Sequence, residues 1–233
     1  ANEIKRRRPD ANILFVGAQD KMEMEKVPKS GYPIEGLWIS GFHRGLDWRN
    51  LMFPIKLISS YFKSGSIVKK FEPDIAIGTG GFASGPALNA ALRHQVPIII
   101  QEQNSYPGVT NKILSKKAKA ICVAYDGMEQ FFPAGKIVKT GNPVRQNIVL
   151  CNVKPEKARA DFDMDIDSKV LFVVGGSLGS RTLNNCMIGG LQELADAGIQ
   201  VIWQTGTAMY EMCKHAAKGY DNVRVLDFIA NID

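Results

Sequence analysis

The sequence predicts an α/β protein with doubly wound parallel sheets, and three observations lead to that prediction. Short apolar runs alternate with helical stretches along most of the chain. Most of these runs are unbroken, which is typical of parallel strands covered on both faces. Two of the runs lead directly into glycine-rich turns, as strands do at the ligand-binding edge of such a sheet. Repeated strand–helix alternation of this kind favours the doubly wound architecture.

The predicted strands fall into two groups. A polar stretch over 141–168 separates them, and it begins with the turn signal Gly141-Asn142-Pro143. We therefore predict a first domain over residues 1–145 with about five strands and a second domain over 146–233 with about three. The predicted strands are 12–16, 75–77, 98–100, 120–124, 137–138, 170–174, 201–203 and 223–226.

Both ends of the chain are predicted to be incomplete. Residues 3–9 resemble the tail of a helix, and the second group of strands stops at about three. A doubly wound half usually continues to five or six strands. We therefore expect the sequence to be part of a longer protein.

The composition is that of an ordinary globular protein, with 45% hydrophobic and 22% charged residues among 233. No apolar run approaches the roughly 18 residues that span a bilayer, and residues 1–10 do not predict a secretory signal. The net charge of +6 indicates an anionic partner such as a phosphate ligand, nucleic acid or an acidic membrane. The four cysteines lack C-x-x-C spacing and are predicted to be reduced thiols: Cys122, Cys151, Cys186 and Cys213.

A glycine-rich turn follows the predicted strand 170–174. Its sequence is Gly175-Gly176-Ser177-Leu178-Gly179, and a helical pattern over 184–194 follows it. Glycines allow a phosphate to approach the backbone, and the helix directs free N–H groups and a positive dipole end toward it. Ser177 adds a hydroxyl donor. A tight turn that requires glycine for positive φ explains the same residues equally well.

A second glycine-rich turn spans residues 78–86, between the predicted strand 75–77 and a helix over 87–93. Two such turns suggest a ligand with phosphate at more than one point. Neither matches the pattern G-x-x-x-x-G-K-[ST], which argues against a P-loop NTPase. No acidic residue occupies the ribose-binding position of a dehydrogenase, which argues against that class too.

Polar residues with possible binding roles lie at two further places. Gln101-Glu102-Gln103-Asn104 directly follow the predicted strand 98–100, where side chains face the ligand crevice of an open α/β sheet. Arg145 lies at the predicted domain junction, where a guanidinium can hold a phosphate through two hydrogen bonds. A polar surface loop and a solvated hinge arginine are the alternative interpretations.

Together these motifs resemble the MurG family, in the family's order and over essentially all 233 residues. The resemblance implies a GT-B fold of two Rossmann-like domains, the second one incomplete here. It also implies an inverting, metal-independent enzyme without a cofactor. That enzyme would transfer N-acetylglucosamine from UDP-N-acetylglucosamine to lipid I, which gives lipid II for peptidoglycan. A UDP-sugar epimerase of the same fold is the alternative enzyme, and a nucleotide-binding regulatory module is the alternative outside enzymes.

The resemblance also assigns roles to single residues. Asn104, Arg145, Ser177 and the backbone of Ile229 would bind the donor. Gly80, Gly81 and Ser84 would belong to a loop that faces the lipid-linked acceptor. No catalytic residue or metal ligand is assigned, and the linker aspartates and the three histidines fit no motif: Asp161, Asp163, Asp165, Asp167, His43, His94 and His215.

The chain departs from the family pattern in three respects. Leu178 replaces a glutamine found in some members. The family's first glycine-rich loop, with its histidine, and the later segment that holds the ribose fall outside these residues. We therefore expect this stretch to be inactive by itself.

An apolar stripe suggests how the protein reaches a lipid-linked acceptor. Leu51, Ile55 and Ile58 recur at helical spacing. Spacing alone favours a core-facing stripe, whereas the resemblance implies docking on the cytoplasmic face of the membrane by a peripheral protein, with no nucleic acid partner. The predicted docking residues are Leu51, Ile55, Lys56, Ile58 and Lys116.

Overall fold

The computed structural model describes residues 1–41, 52–144 and 146–229. The chain divides into two compact units, Ala1–Pro143 and Val144–Asp233. Within the described residues every strand pair is parallel. This confirms the predicted parallel α/β class. None of the described helices is long and apolar enough to cross a membrane.

Unit 1 contains two parallel sheets, β1-β2 and β3-β4-β5-β6. Its helices and strands are α1 (Asn2–Arg7), β1 (Phe15–Ala18), α2 (Glu23–Lys29), β2 (Ile34–Leu37), α3 (Phe53–Phe71), β3 (Ala76–Gly78), α4 (Ser84–Arg93), β4 (Ile98–Glu102), α5 (Val109–Ser115), β5 (Ala120–Val123) and β6 (Ile137–Lys139). The larger core cluster lies under the four-stranded sheet, where Ile98, Ile100 and Ile121 are completely buried.

Helix α3 packs against α4 and buries one narrow stripe of its surface. Pro54 lies in its first turn, where a missing N–H is tolerated. The buried residues Ser60, Ser64 and Val68 recur every four positions and form one stripe along the helix. Arg93 of α4 places its guanidinium 3.6 Å from the centre of the Tyr61 ring. This contact ties α3 to α4, the helix that follows β3.

Unit 2 contains one described sheet of order β7-β8-β9. Its elements are α6 (Gln146–Val149), α7 (Pro155–Ala160), β7 (Val170–Val174), α8 (Arg181–Asp196), β8 (Gln200–Gln204), α9 (Tyr210–Ala216) and β9 (Val223–Leu226). The core forms around Trp203, which is completely buried. Trp203 Nε1 donates to Asn184 Oδ1 at 3.0 Å, so the indole ties the central strand to α8.

The structure corrects three strand predictions. Strand β2 was not predicted, because Glu35 and Gly36 break its apolar run. The predicted strands 75–77 and 170–174 are not fully buried, since Ile77 and Phe172 are each 48% exposed. Within the described residues, β3 and β7 are edge strands, with a neighbouring strand on one side only. The rest of the sheet therefore shields their apolar side chains less.

Candidate functional site

The carboxyl ends of β3, β4, β5 and β6 lie at one edge of the larger sheet of unit 1. The turn after β3 contains Gly80 and Gly81 at φ of +89° and +79°, a region that side chains rarely adopt. A Cβ at Gly78 would overlap Leu88 of α4, so the strand passes very near that helix. Ser84 begins α4 and is buried, and within the described residues its hydroxyl has no hydrogen-bond partner. The predicted acceptor-facing residues therefore share this edge.

Strand β4 continues further than its apolar run. Gln101 and Glu102 belong to the strand and are 8% and 2% exposed, so the alternative interpretation as a polar surface loop was wrong for both. The fold supplies Glu102 with four hydrogen-bond donors, and it gives the Gln101 amide nitrogen a partner in Asn142. Gln103 and Asn104 do lie in the loop after the strand, and Asn104 is exposed.

The buried Glu102 carboxylate organises that loop. Its Oε1 accepts from the backbone N–H of Asn104 at 3.1 Å and from Asn104 Nδ2 at 3.0 Å. Its Oε2 accepts from the Gly108 N–H at 3.1 Å and from Asn111 Nδ2 at 2.8 Å. Four donors thus converge on one carboxylate, which satisfies a charge buried beside the apolar core. The arrangement fixes the orientation of the Asn104 amide, and leaves its oxygen and its second N–H for a ligand.

The same contacts determine how Glu102 titrates. Burial by itself raises the pKa of a carboxyl group, because it penalises the charged form. The hydrogen bonds from Asn111, Asn104 and Gly108 favour the carboxylate and outweigh that effect, so the pKa of Glu102 is lowered. Glu102 is therefore ionised at neutral pH and serves as an anchor for the loop.

A second polar network ties three segments at this edge together. Gln103 Nε2 donates to the Thr79 carbonyl at 2.6 Å, which joins the β4 loop to the glycine turn after β3. Asn142 Nδ2 donates to the Gln103 carbonyl at 3.3 Å, and Gln101 Nε2 donates to Asn142 Oδ1 at 3.3 Å. The turn at residues 78–84, the loop after β4 and the segment after β6 consequently hold one another in place.

The glycine turn of unit 2 lies at the carboxyl end of β7. Gly176 and Gly179 have φ of +81° and +77°. Helix α8 begins just beyond them, and Ser180 caps it by accepting from the Leu183 N–H at 3.4 Å. Ser177 is exposed in this turn. Free N–H groups at the start of a 16-residue helix, beside an exposed hydroxyl, suit an anionic group.

Close backbone packing holds this turn against the turn after β8. A Cβ at Gly179 would overlap the Thr205 carbonyl oxygen, and a Cβ at Gly206 would overlap Leu178. Asn184 Nδ2 donates to that same Thr205 carbonyl at 2.8 Å. The two turns therefore touch through backbone atoms, which only glycine permits at these points.

Gln204, the last residue of β8, links the turn after β7 to the segment after β9. It was not identified from the sequence pattern. Its Nε2 donates to the Gly176 carbonyl at 2.9 Å, and its Oε1 accepts from the Ile229 N–H at 2.9 Å. The Ile229 side chain is buried against Met164 and Ile202. The predicted base contact by the Ile229 backbone stays a prediction, and the N–H of that residue already has a partner. A polar residue at the end of the apolar run 201–203 was the available signal.

Two of the three described docking residues on α3 lie on its outer surface, whereas Lys56 is half-buried on the side of Ser60. Ile55 and Ile58 are 53% and 58% exposed, and they lie roughly opposite the buried stripe of Ser60 and Ser64. Lys56 donates to Ser40 Oγ at 3.1 Å. Lys116, at the end of α5, is exposed. The described stripe residues thus contradict the core-facing interpretation, while Leu51 and Arg145 lie outside the described residues.

The described residues contain no group of three or more side chains able to hold a metal ion. The linker aspartates fit no motif in the sequence, and the structure shows that the exposed Asp165 is tied to β8. Its carboxylate accepts from Gln200 Nε2 at 2.9 Å, and its N–H donates to Gln200 Oε1 at 2.8 Å. Asp165 thereby anchors the linker to the amino end of β8.

Comparison with known proteins identifies the class and then the family. Two parallel α/β units with glycine turns at their carboxyl edges define a protein of the GT-B class, and solved GT-B structures match the fold. The glycosyltransferase family 28 N-terminal domain matches residues 1–123, and the family 28 C-terminal domain matches residues 170–233. The chain belongs to glycosyltransferase family 28.

Curated relatives match the whole chain. A protein of Cytophaga hutchinsonii is 56% identical over 233 residues, and one of Bacteroides fragilis is 49% identical over 236. Both are named UDP-N-acetylglucosamine–N-acetylmuramyl-(pentapeptide) pyrophosphoryl-undecaprenol N-acetylglucosamine transferase. All of this chain is covered in each case, and the chain spans 63% and 62% of the lengths of these relatives.

Two solved structures show the fold. MurG of Acinetobacter baumannii is 26% identical with a TM-score of 0.64, covering 99% of this chain and 61% of that one. UDP-GlcNAc 2-epimerase of Neisseria meningitidis, bound to UDP-GlcNAc, is 12% identical with a TM-score of 0.62. This second match covers 98% of this chain and 67% of the epimerase, and it shows the fold alone.

Proposed function

We propose that the protein containing this chain transfers N-acetylglucosamine from UDP-N-acetylglucosamine to lipid I, forming lipid II, with inversion at the anomeric carbon. The observation that carries the proposal is the 56% identity, over the whole chain, with a relative named for this transfer. The local geometry supports it, because each unit presents a glycine turn and a helix start at the carboxyl edge of its sheet.

The diphosphate of the donor would bind at the glycine turn of unit 2. As the sugar leaves, negative charge grows on the diphosphate oxygens. The N–H groups at the start of α8 and the Ser177 hydroxyl are placed to stabilise that charge. Arg145 would add a guanidinium there, and we expect these groups to replace a divalent cation. Ile229 would contact the uracil.

The Asn104 amide in unit 1 would contact the donor sugar. The loop with Gly80, Gly81 and Ser84 would receive the acceptor, whose diphosphate needs N–H donors such as those at the start of α4. The acceptor hydroxyl then attacks the anomeric carbon as UDP departs. The Glu102 network would hold Asn104 ready for that step.

Unit 1 would dock on the cytoplasmic membrane surface through α3. Ile55 and Ile58 expose apolar surface, and Phe62 extends the same stripe at 70% exposure. Lys56 is half-buried on the Ser60 side of α3, with its ammonium 5.6 Å from the Trp38 ring, so Lys116, just after α5, is the exposed one of the two proposed docking lysines. Apolar groups flanked by lysines are suited to an anionic bilayer surface.

The docking proposal predicts that Ile55→Ser together with Ile58→Ser reduces binding to anionic vesicles about tenfold or more. Two isoleucine side chains that become partly buried in the bilayer surface contribute a few kcal/mol to binding. The melting temperature should stay within about 2 °C, because both side chains are already exposed in the fold. Vesicle co-sedimentation beside thermal melts measures both effects.

The matched control is Val153→Ser with Ile166→Ser, an exposed apolar pair in unit 2. It should leave vesicle binding unchanged. A sharp loss of melting temperature in the α3 variant, with normal binding by its folded fraction, would show that the stripe is structural.

Donor binding predicts a difference between two basic residues. Arg145→Ala should weaken UDP-N-acetylglucosamine binding about 10- to 100-fold, because hydrogen bonds to charged groups contribute about 1.5–3 kcal/mol. Lys56→Ala should leave this affinity unchanged, since Lys56 lies on α3 of unit 1, where its ammonium donates to Ser40. Titration calorimetry on the full-length protein measures both, and equal affinities would contradict the donor role of Arg145.

The transfer itself is tested with the full-length protein, UDP-N-acetylglucosamine and a lipid I analogue. The proposal predicts a disaccharide product whose new glycosidic bond has the inverted configuration. The fold likeness to a 2-epimerase bound to UDP-GlcNAc favours one alternative, a UDP-sugar epimerase. That alternative predicts UDP-N-acetylmannosamine without any acceptor, and its appearance in place of the disaccharide would overturn the transfer.

A further inference from the structure

Gln204 occupies a special place in unit 2. It is the last residue of β8, the central strand of the described sheet, and it is 3% exposed. Both ends of its amide are used, one on the Gly176 carbonyl and the other on the Ile229 N–H, each at 2.9 Å. Within the described residues, no other side chain hydrogen-bonds both the turn after β7 and the segment after β9.

Backbone hydrogen bonds hold the start of the segment after β9 against the end of β8. The backbone N–H groups of Thr205 and Gly206 donate to the carbonyls of Leu226 and Asp227, which continues the β8–β9 pairing past the ends of both strands. Beyond Asp227 the chain turns, and Phe228 donates its N–H to the Asp227 side chain. Ile229 is then held through its N–H by Gln204 and through its side chain by Met164 and Ile202, so Gln204 is the side chain that joins this segment directly to the glycine turn.

We infer that Gln204 is a positioning residue for nucleotide binding, which sets the spacing between the phosphate-binding turn at Gly176 and the segment at Ile229. The inference rests on the proposed function, in which this edge of unit 2 binds the UDP portion of the donor. A ligand that contacts both segments benefits when their spacing is fixed in advance, because the protein then loses less freedom on binding. A ligand that contacts only one segment gains little from the same amide.

The chemistry requires an amide at this position. One bond needs a donor toward a carbonyl, and the other needs an acceptor for an N–H. A methionine of similar length offers neither. An ionised glutamate keeps the acceptor but cannot donate to Gly176, whereas a protonated one can do both. A buried carboxyl group with a carbonyl neighbour takes up a proton more readily than an exposed one.

The experiment measures the affinities of the full-length protein and its variants for UDP and for uridine by calorimetry. Gln204→Met should weaken UDP binding about tenfold or more, and uridine binding much less, because uridine lacks the phosphates that reach the glycine turn. Gln204→Glu should bind UDP weakly at pH 8 and recover toward the wild-type affinity near pH 6, as the introduced carboxyl becomes a donor. The wild type should not show this recovery.

Gln200→Met provides a matched control for a structural effect. Gln200 lies at the opposite end of the same strand and also makes two hydrogen bonds, both to Asp165. Its replacement should leave UDP affinity unchanged even if it lowers the melting temperature.

Three outcomes would overturn the inference: Gln204→Met binds UDP within twofold of the wild type, the affinity for uridine falls as much as that for UDP, or Gln204→Glu fails to recover in acid. If Gln204→Met does not fold, the pH response of Gln204→Glu decides by itself. A wild-type protein that binds neither UDP nor UDP-N-acetylglucosamine would instead contradict the proposed function, which is a separate result.

Discussion

Gly179→Ala is expected to lower the free energy of unfolding by about 2–5 kcal/mol and to abolish nucleotide binding by unit 2. The backbone at Gly179 has φ of +77°, where an alanine loses roughly 1–2 kcal/mol. Its Cβ would also overlap the Thr205 carbonyl oxygen, and forced overlap of this kind typically adds about 1–3 kcal/mol. Relief of that overlap would displace the turn that precedes α8.

Alanine substitutions at two other glycines separate the cost of the positive φ from the cost of the Cβ overlap. Gly176→Ala meets a positive φ of +81° but no atom within 4 Å, so it should cost only the backbone contribution of about 1–2 kcal/mol. Gly189 lies inside α8 with open space around it, and Gly189→Ala should stabilise by about 0.5–1 kcal/mol. Urea unfolding of the three variants measures the order. An equal loss at positions 179 and 176 would show that the Thr205 contact is unimportant.

Glu102→Gln is expected to be the second large effect, with a loss of about 2–4 kcal/mol of stability and, in the full-length protein, a strong loss of the proposed transfer activity. The amide keeps one acceptor oxygen, but its NH₂ group faces donors on the other side. Either the Asn104 pair or the Gly108 and Asn111 pair then lacks an acceptor. An unsatisfied buried donor costs about 1–3 kcal/mol, and hydrogen bonds to a charged acceptor are the stronger kind.

The pH dependence of this loss follows from the lowered pKa of Glu102. A carboxyl whose pKa falls on folding stabilises the fold at every pH above its ordinary value of about 4.3, and this contribution disappears as the pH drops through the lowered folded value. The difference between wild type and Glu102→Gln should therefore be full at pH 7 and shrink below about pH 4. Glu129→Gln, on an exposed glutamate, is the control and should change stability by less than about 0.5 kcal/mol.

Hydrophobic pattern was enough to find most strands, and it failed where polar residues belong to a strand. The run at 223–226 stands alone between polar residues, and β9 has those bounds. The run at 98–100 was predicted to end two residues early, because Gln101 and Glu102 are polar. Their burial depends on Asn111 and Asn142, which lie farther along the chain and are brought near only by the fold.

The candidate site was predictable in its turns but not in its contacts. Glycines after an apolar strand signalled both turns, because glycine is the residue that tolerates positive φ. The contact between Gly179 and Thr205, and the link from Gln204 to Ile229, join separate βα segments and leave no local pattern in the sequence. The donor-binding roles of Asn104 and Ser177 remain predictions from the family resemblance.

The parallel pairing of every described strand also affects how the chain reaches its fold. Two parallel strands cannot be joined by a tight hairpin, and the chain between them must cross over from one end of the sheet to the other. Each strand therefore pairs only after this crossover segment has been made. Contacts between residues distant in sequence slow the folding of such domains. During synthesis, β7 would leave the ribosome well before β8 and β9 and would present an open edge in the meantime. We therefore expect this topology to increase the demand for chaperones and the formation of inclusion bodies during rapid overexpression, and slower synthesis at low temperature to improve the soluble yield.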